Sequence, residues 1–331
     1  MELKVLLYDA KNYDKDSFNS CLVNYPHITI DYLDTELSIK TVNLAKGYDA
    51  VCIFVNCKLD KEIIKKLVSY KIKLVLLRCA GFNNVDVEYA SKKGLTLLRV
   101  PAYSPEAIAE HAIALALAVN RHIHKAYIKV RENNFALTGL TGMNLYGKVA
   151  GIIGTGKIGK CMCKICHGLG MKVIAYDLYP DKSLDYVKYV TLDELIKDSD
   201  LISLHCPATK DNYHMINKDS ISKMKDGVIL INTSRGLLIN TEDLIQGIRN
   251  KKFFGVGLDV YEEEGDNVFE NREDDILEHS TTSRLLSFPN VIITSHQAFL
   301  TKEALESIAK TTIKNLTDYF KNSIDANNLV K

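Results

Sequence analysis

VAGIIGTGKIGKCMCKICHGLGMKVIAYD, residues 149–177, reads as strand, glycine turn, helix and strand. Val149 to Ile153 is a short apolar run suited to a buried strand. Gly154-Thr155-Gly156-Lys157-Ile158-Gly159 follows at once, giving G-x-G-x-x-G between a strand and a helix. In such a turn Gly154 makes the tight bend, Gly156 lets the backbone approach a pyrophosphate, and Gly159 lets helix and strand pack closely. The helix N-terminus adds free N–H groups and the positive end of a dipole. Val173 to Tyr176 is a second apolar run and ends in Asp177, at the spacing of the acid that holds a ribose diol. An acid there favours NAD over NADP, because it repels a 2′-phosphate. Gly151 to Lys157 also fits G-x-x-x-x-G-K, the phosphate loop of triphosphatases. That loop needs Ser or Thr next to hold magnesium, and Ile158 cannot ligate a metal.

The chain around this unit has 331 residues, long enough for about two domains. Hydrophobic residues make up 47%, so sizeable cores can form, and 42 basic against 41 acidic residues leave a charge of +1. No basic stripe points to nucleic acid and no acidic block to disorder. The start, MELKVLLYDA, reads as the opening of a strand rather than a signal peptide. No apolar run approaches bilayer length. The expected location is the cytoplasm, with the eight cysteines as reduced thiols. Cys161, Cys163, Cys166 and His167 invite a metal reading, but on a helix residues 161 and 163 point about 200° apart. Small packing residues are the better reading, and no metal is expected.

Leu3 to Tyr8, Ile28 to Tyr32, Ala50 to Val55, Lys73 to Leu77 and Leu95 to Arg99 are short apolar runs. Helix-like stretches such as Asp60 to Ser69 separate them. That alternation predicts a parallel sheet covered on both faces. Pro101 to Glu106 is a break, with Ser104 as N-cap and Pro105 at the first helical position. One long helix is then expected to about Arg131, apolar on more than one side in its first half, as suits a helix buried between domains or subunits. His111, His122 and His124 fall on it and are read as surface or packing residues. After the glycine turn come strands at Leu201–Leu204, Val228–Asn232, Phe254–Leu258 and Val291–Thr294. Residues 265–287 read as an acidic, polar surface excursion, and Glu303 to Phe320 as a closing helix. The expected fold is α/β: two Rossmann-like, doubly wound parallel-sheet domains with an active-site cleft between them. Residues 1–100 and 300–331 would form a discontinuous substrate domain, and 101–299 the NAD-binding domain.

In an open parallel sheet, ligands sit beyond the carboxyl ends of the strands, and chemically capable residues recur there. Arg235 offers a planar fork to a carboxylate and can polarise a neighbouring carbonyl. His296 can give or take a hydroxyl proton near neutral pH. Glu264 could orient His296 and keep it protonated. Each has a structural alternative: Arg235 in an ion pair, His296 in a loop contact, Glu264 as one of three solvated acids with Glu262 and Glu263.

These segments resemble the D-2-hydroxyacid dehydrogenase family, and within it most closely the NAD-dependent D-lactate dehydrogenases. The matching stretches are RCAGFNNVD (Arg78 to Asp86), VPAYSPEAIAEHA (Val100 to Ala112), LTGMNLYGKVAGIIGTGKIG (Leu140 to Gly159), ISLHCP (Ile202 to Pro207), INTSRG (Ile231 to Gly236), LDVYEEE (Leu258 to Glu264) and SHQAFLT (Ser295 to Thr301). They cover nearly the whole chain in order. The resemblance implies that Arg235 binds the substrate carboxylate and carbonyl, that Glu264, five residues after Asp259, pairs with the catalytic histidine, and that His296 donates the proton. It implies that Asp259 touches the carboxamide side of the nicotinamide and that Cys206, Pro207, Asn212, Thr233 and Ser234 line the cofactor. Cys79, Ala80 and Gly81 resemble the loop that holds the substrate carboxylate, and Tyr103 lies near the substrate. Ser295 departs from the glycine expected before the histidine and could shift that loop.

The resemblance implies reversible reduction of pyruvate to D-lactate by NADH. A bulkier 2-oxo acid is the alternative, with pocket size set near Phe54, Tyr103 and Phe299. A non-catalytic NADH-sensing co-repressor is a third reading, which the presence of all of Arg235, Glu264 and His296 disfavours. The Glu106–Arg131 helix and the resemblance imply a homodimer built on the cofactor domain.

Overall fold

The structure, a computed structural model, describes residues 2–264, 269, 273 and 280–331. The chain divides into two compact units, Met1–Ser104 with Leu300–Lys331, and Pro105–Phe299. The first unit starts with β1 (Leu3–Leu7), α1 (Asn12–Leu22), β2 (Ile28–Tyr32), β3 (Ala50–Ile53), α2 (Lys61–Ser69), β4 (Leu74–Leu77), α3 (Val87–Lys92) and β5 (Thr96–Arg99). Its five strands lie in the order β2-β1-β3-β4-β5, all parallel. β3 and β4 are buried at every position, as strands covered on both faces must be. Asp60 starts α2 by accepting from the Glu62 and Ile63 N–H groups, and Ile63, Ile64 and Leu67 turn to the core.

The second unit holds α4 (Pro105–Asn120), α5 (Ile123–Arg131), β6 (Val149–Ile153), α6 (Lys157–Gly168), β7 (Lys172–Tyr176), β8 (Val187–Tyr189), α7 (Leu192–Asp198), β9 (Leu201–Leu204), α8 (Lys218–Lys223), β10 (Val228–Asn232), α9 (Thr241–Arg249), β11 (Phe253–Leu258), α10 (Ser280–Ser287) and β12 (Val291–Ile293). Its parallel sheet runs β12-β11-β10-β9-β6-β7-β8. Counted from β6, that is the doubly wound dinucleotide-binding order with one strand added at the edge. Apolar clusters cover both faces of this sheet. The chain then returns to the first unit through α11 (Lys302–Phe320), capped by Thr301, whose Ala309, Ile313 and Leu316 join the β1–β3–β4 core.

Two local expectations change. The single helix to Arg131 is two helices, because His122 takes a left-handed backbone (φ 51°). Asn120 bonds the backbone of Met143 through both ends of its amide, and the buried His122 ring packs on Phe254, 5.4 Å between centroids. Of the predicted excursion 265–287, Ser280–Ser287 is a helix with Leu285 buried; residues 265–268, 270–272 and 274–279 lie outside the described residues. α4 packs one face on its own sheet, while Glu110, Ala114 and Leu117 stay exposed. Gly255 and Gly257 of β11 leave room for it, since a Cβ there would meet Val119 at 2.8 Å and Leu115 at 3.0 Å.

Candidate active site

The glycine turn is built as its spacing requires. Gly154 has φ 91°, and a Cβ on it would sit 2.8 Å from the His205–Cys206 backbone. A Cβ on Gly159 would fall 1.8 Å from the Gly154 carbonyl oxygen. Gly156 is exposed with nothing within 4 Å of its Cβ position, so the space before the N-terminus of α6 is open to an anion. Thr155 is buried, whereas Lys157 is exposed. Asp177, at the end of β7, accepts from the Thr155 N–H and hydroxyl and the Tyr179 N–H. Burial raises its carboxyl pKa, but these donors and Lys160 outweigh burial and hold it below the usual value. It is therefore a carboxylate at neutral pH, able to accept from a diol.

The other positions in this unit follow strand by strand. Beyond β9, Asn212 knots its own loop by donating to the Pro207 carbonyl and accepting from the Thr209 N–H. Cys206 is half-buried, and burial pushes its thiol up to about 11. Beyond β10, buried Asn232 folds the turn, accepting from Ser234 N–H and donating to the Arg235 carbonyl. Ser234 donates to the Cys206 carbonyl. Thr233 Oγ1 is buried with no partner among the described residues. The open face at Gly156, the ionised Asp177 and this orphaned hydroxyl fit a dinucleotide. Arg235 is half-buried, and its Nη1 donates to the Ser234 carbonyl, 2.7 Å; it has no carboxylate partner among the described residues.

Beyond β11, Asp259 is 1% exposed. Its carboxylate accepts from the Thr294 hydroxyl (2.5 Å) and the Gln297 and Ala298 N–H groups (both 2.9 Å). Burial raises its pKa, but His111, Thr294, Ala298 and Gln297 more than offset that, so it too is ionised. The structure thus shows Asp259 as the anchor of the 294–298 loop beyond β12. On that loop His296 has φ 51°, and its Nδ1 lies 3.2 Å from Glu264 Oε1. Nε2 has no hydrogen-bond partner among the described residues. Ser295 is exposed and keeps a negative φ, so a side chain fits where glycine was expected. Glu262 is not a solvated acid: it holds His214 and caps Thr241.

In the first unit, Cys79, Ala80 and Gly81 follow β4, and Cys79 donates to the Gly81 carbonyl. Arg78 beneath them is 1% exposed, bonded to Asp14 and to the carbonyls of Tyr8 and Asp9, with Phe54 stacked on its guanidinium. Tyr103 is half-buried after β5. Cys163 and Cys166 are buried in the sheet-facing core, and all eight cysteines are free thiols. Among the described residues no group of three His, Cys, Asp or Glu is placed to hold a metal, and no helix is long and apolar enough to cross a membrane.

Sequence reading missed three residues here. Phe269, inside the predicted excursion, has its ring 6.2 Å from those of both His296 and Phe299. Gly236 has an ordinary φ, yet a Cβ on it would lie 2.3 Å from the Tyr261 carbonyl carbon. His111, read as surface or packing, reaches Thr294 Oγ1 at 3.0 Å.

The family model for "D-isomer specific 2-hydroxyacid dehydrogenase, NAD binding domain" matches residues 113–298. The chain belongs to the D-isomer specific 2-hydroxyacid dehydrogenases. It is therefore an NAD-dependent oxidoreductase, and NAD is its cofactor. It is 45% identical to the D-lactate dehydrogenase of Escherichia coli K12, covering 99% of this chain and 100% of that protein. The apo-structure of D-lactate dehydrogenase from Escherichia coli superposes with a TM-score of 0.90 at 44% identity, over 99% and 100% of the two chains. D-2-hydroxyisocaproate dehydrogenase superposes with a TM-score of 0.90 at 31% identity, over 99% of each chain.

Proposed function

We propose that the chain is a D-lactate dehydrogenase that reduces pyruvate reversibly to D-lactate. The carrying observation is that a guanidinium without a carboxylate partner among the described residues, a carboxylate-paired histidine and the glycine turn all stand beyond carboxyl ends of one parallel sheet. When bound, NADH supplies the hydride for the carbonyl carbon. Arg235 binds the substrate carboxylate with its fork and steadies the negative charge growing on the carbonyl oxygen. His296 protonates that oxygen from Nε2. Glu264 accepts from Nδ1–H, fixing the ring so that Nε2 faces the substrate oxygen. Cys206, Pro207, Asn212, Thr233, Ser234 and Asp259 serve the cofactor side. Cys79, Ala80, Gly81 and Tyr103 serve the substrate from the first unit, which we assign as the substrate domain.

Phe269 favours a small substrate, because its ring, 6.2 Å from His296 and 6.2 Å from Phe299, narrows the space next to the histidine. The likeness to D-2-hydroxyisocaproate dehydrogenase favours the second reading, a bulkier 2-oxo acid. NADH oxidation at 340 nm with pyruvate and a panel of larger 2-oxo acids, with chiral analysis of the product, separates the two. Pyruvate should lead and give D-lactate; a preferred larger acid would overturn the lactate assignment and leave the mechanism.

A cytoplasmic homodimer completes the proposal. Ile123, Tyr127, Ile128 and Val130 on α5 and Phe135 and Leu137 after it are each at least 49% exposed, a stripe of the kind that a second copy covers. Light scattering should give twice the chain mass of 37.1 kDa, and a monomer would refute it.

A further inference from the structure

α4 lies along β11 in a fixed register. Val119 meets Gly255, Leu115 meets Gly257, and the next step in both series brings His111 to Asp259, with Nε2 3.4 Å from Oδ1. The match is metrical. Four residues of helix rise about 6 Å, and two residues of strand advance about 6.6 Å, so each turn of α4 meets alternate residues of β11. The glycines admit the aliphatic side chains, and the aspartate receives the histidine.

Proton accounting fixes the direction of the hydrogen bonds. Asp259 is ionised and can only accept. The Thr294 hydroxyl has one proton and gives it to Asp259 Oδ1 at 2.5 Å. Towards His111 it can therefore only accept, so His111 Nε2 carries hydrogen and donates across 3.0 Å. The chain of bonds runs from His111 through Thr294 to Asp259. The same carboxylate receives the N–H groups of Gln297 and Ala298, and the Asp259 carbonyl receives the N–H of His296. Thus the left-handed backbone of His296 is held on both sides by one residue, and α4 steadies that residue.

We propose that His111 is a positioning residue for the reaction, acting through Thr294 and Asp259 to hold His296 in its reactive orientation. The inference rests on the reading of His296 as proton donor. His111 contacts Thr294 and Asp259 and not His296 itself, so its loss should lower kcat by a larger factor than it weakens NADH binding. A displacement of about 1 Å at a reacting group costs up to about 100-fold, which sets the scale for His111→Leu at about 10- to 100-fold in kcat. His111→Gln, whose amide can still donate to Thr294, should recover most of the rate. Thr294→Val should slow turnover comparably, and His111→Leu/Thr294→Val should be no slower than the worse single variant, because both break one chain.

The experiment measures kcat, KM for pyruvate, NADH affinity by fluorescence titration and Tm for these variants beside His296→Gln. If His296→Gln turns over normally, the proton-donor reading itself falls. If His296→Gln is inactive while His111→Leu keeps wild-type kcat, the positioning role alone falls. Multiplicative losses in the double variant would also overturn it. Should His111→Leu fail to fold, His111→Asn replaces it as a polar side chain too short to reach Thr294. Equal kcat for the Asn and Gln variants would then refute the proposal.

Discussion

Two histidine–glutamate pairs stand two residues apart in sequence on the glutamate side, and they do opposite things. His214 and His296 share a left-handed backbone, with φ of 53° and 51°. Each contacts a glutamate, His214 Nε2 to Glu262 Oε1 at 2.5 Å and His296 Nδ1 to Glu264 Oε1 at 3.2 Å. The difference lies in the remaining atoms. His214 Nδ1 receives the Asn240 amide, and Glu262 Oε2 receives both the N–H and the hydroxyl of Thr241. That pair is satisfied throughout, and it holds Asn240 and Thr241 at the start of α9. His296 keeps Nε2 without a partner among the described residues. A histidine with one nitrogen oriented and the other available can pass a proton; one with both nitrogens engaged is architecture. Strain, charge pairing and residue type do not distinguish the two pairs.

The comparison breaks most easily at the histidines. His296→Gln should cut kcat by about 10²–10⁴-fold with little change in Tm, whereas His214→Gln should lower Tm and leave most of kcat. Equal kcat losses in the two variants would erase the distinction. Gly236 comes next, since it lets the Arg235 turn lie against Tyr261 and Glu262. Gly236→Ala puts a Cβ 2.3 Å from backbone that cannot move cheaply, and the displaced guanidinium should cost about 100-fold in kcat/KM. Wild-type kinetics in that variant would show that the close approach does not place Arg235.

The glutamates sharpen the contrast through stability. Glu262→Gln should destabilise by about 1–3 kcal/mol, the scale for leaving buried donors poorly matched, and Glu264→Gln by less. Burial raises the Glu262 carboxyl, but His214 and Thr241 hold it below its ordinary 4.5. A depressed carboxylate stabilises the fold above pH 4.5, and that contribution is lost as the pH falls through the folded value. The stability gap between wild type and Glu262→Gln should therefore shrink below pH 4.5 in urea titrations; a gap independent of pH would deny the charge a role. His205 gives a similar acid test away from either pair. Burial lowers its pKa from 6.5 to about 4. The unfolded chain therefore binds a proton in that window that the native state refuses, and stability falls as pH drops from 6.5 towards 4, by up to about 3 kcal/mol. His205→Asn should flatten that slope.

Much of this was readable in advance because it is local. The glycine turn, the strand ends and the acid at Asp177 each depend on a few consecutive residues and on period. Glu264 and His296 were readable through resemblance, and the geometry sets them side by side. What escaped is set by distant packing. No glycine or proline marks the break at His122; it comes from Asn120 gripping Met143. His111 looked bland because its partner Thr294 is 183 residues away. A trace did exist: His111, Leu115 and Val119 at helical spacing answer Gly255, Gly257 and Asp259 at strand spacing. Nothing in a single sequence says that the two series face each other.

The parallel sheet has a consequence for how such a protein can change. Each group to which we assign chemistry leaves a different strand: Asp177 from β7, the glycine turn from β6, the guanidinium from β10, the anchor from β11 and the histidine from β12. Because the strands are locked together by the core beneath, a loop can be rewritten without altering the registration of its neighbours. Selection, or a designer, can therefore retune the loop at Asp177 while the proposed proton donor, five strands across the sheet and one hundred and nineteen residues further on, is left untouched.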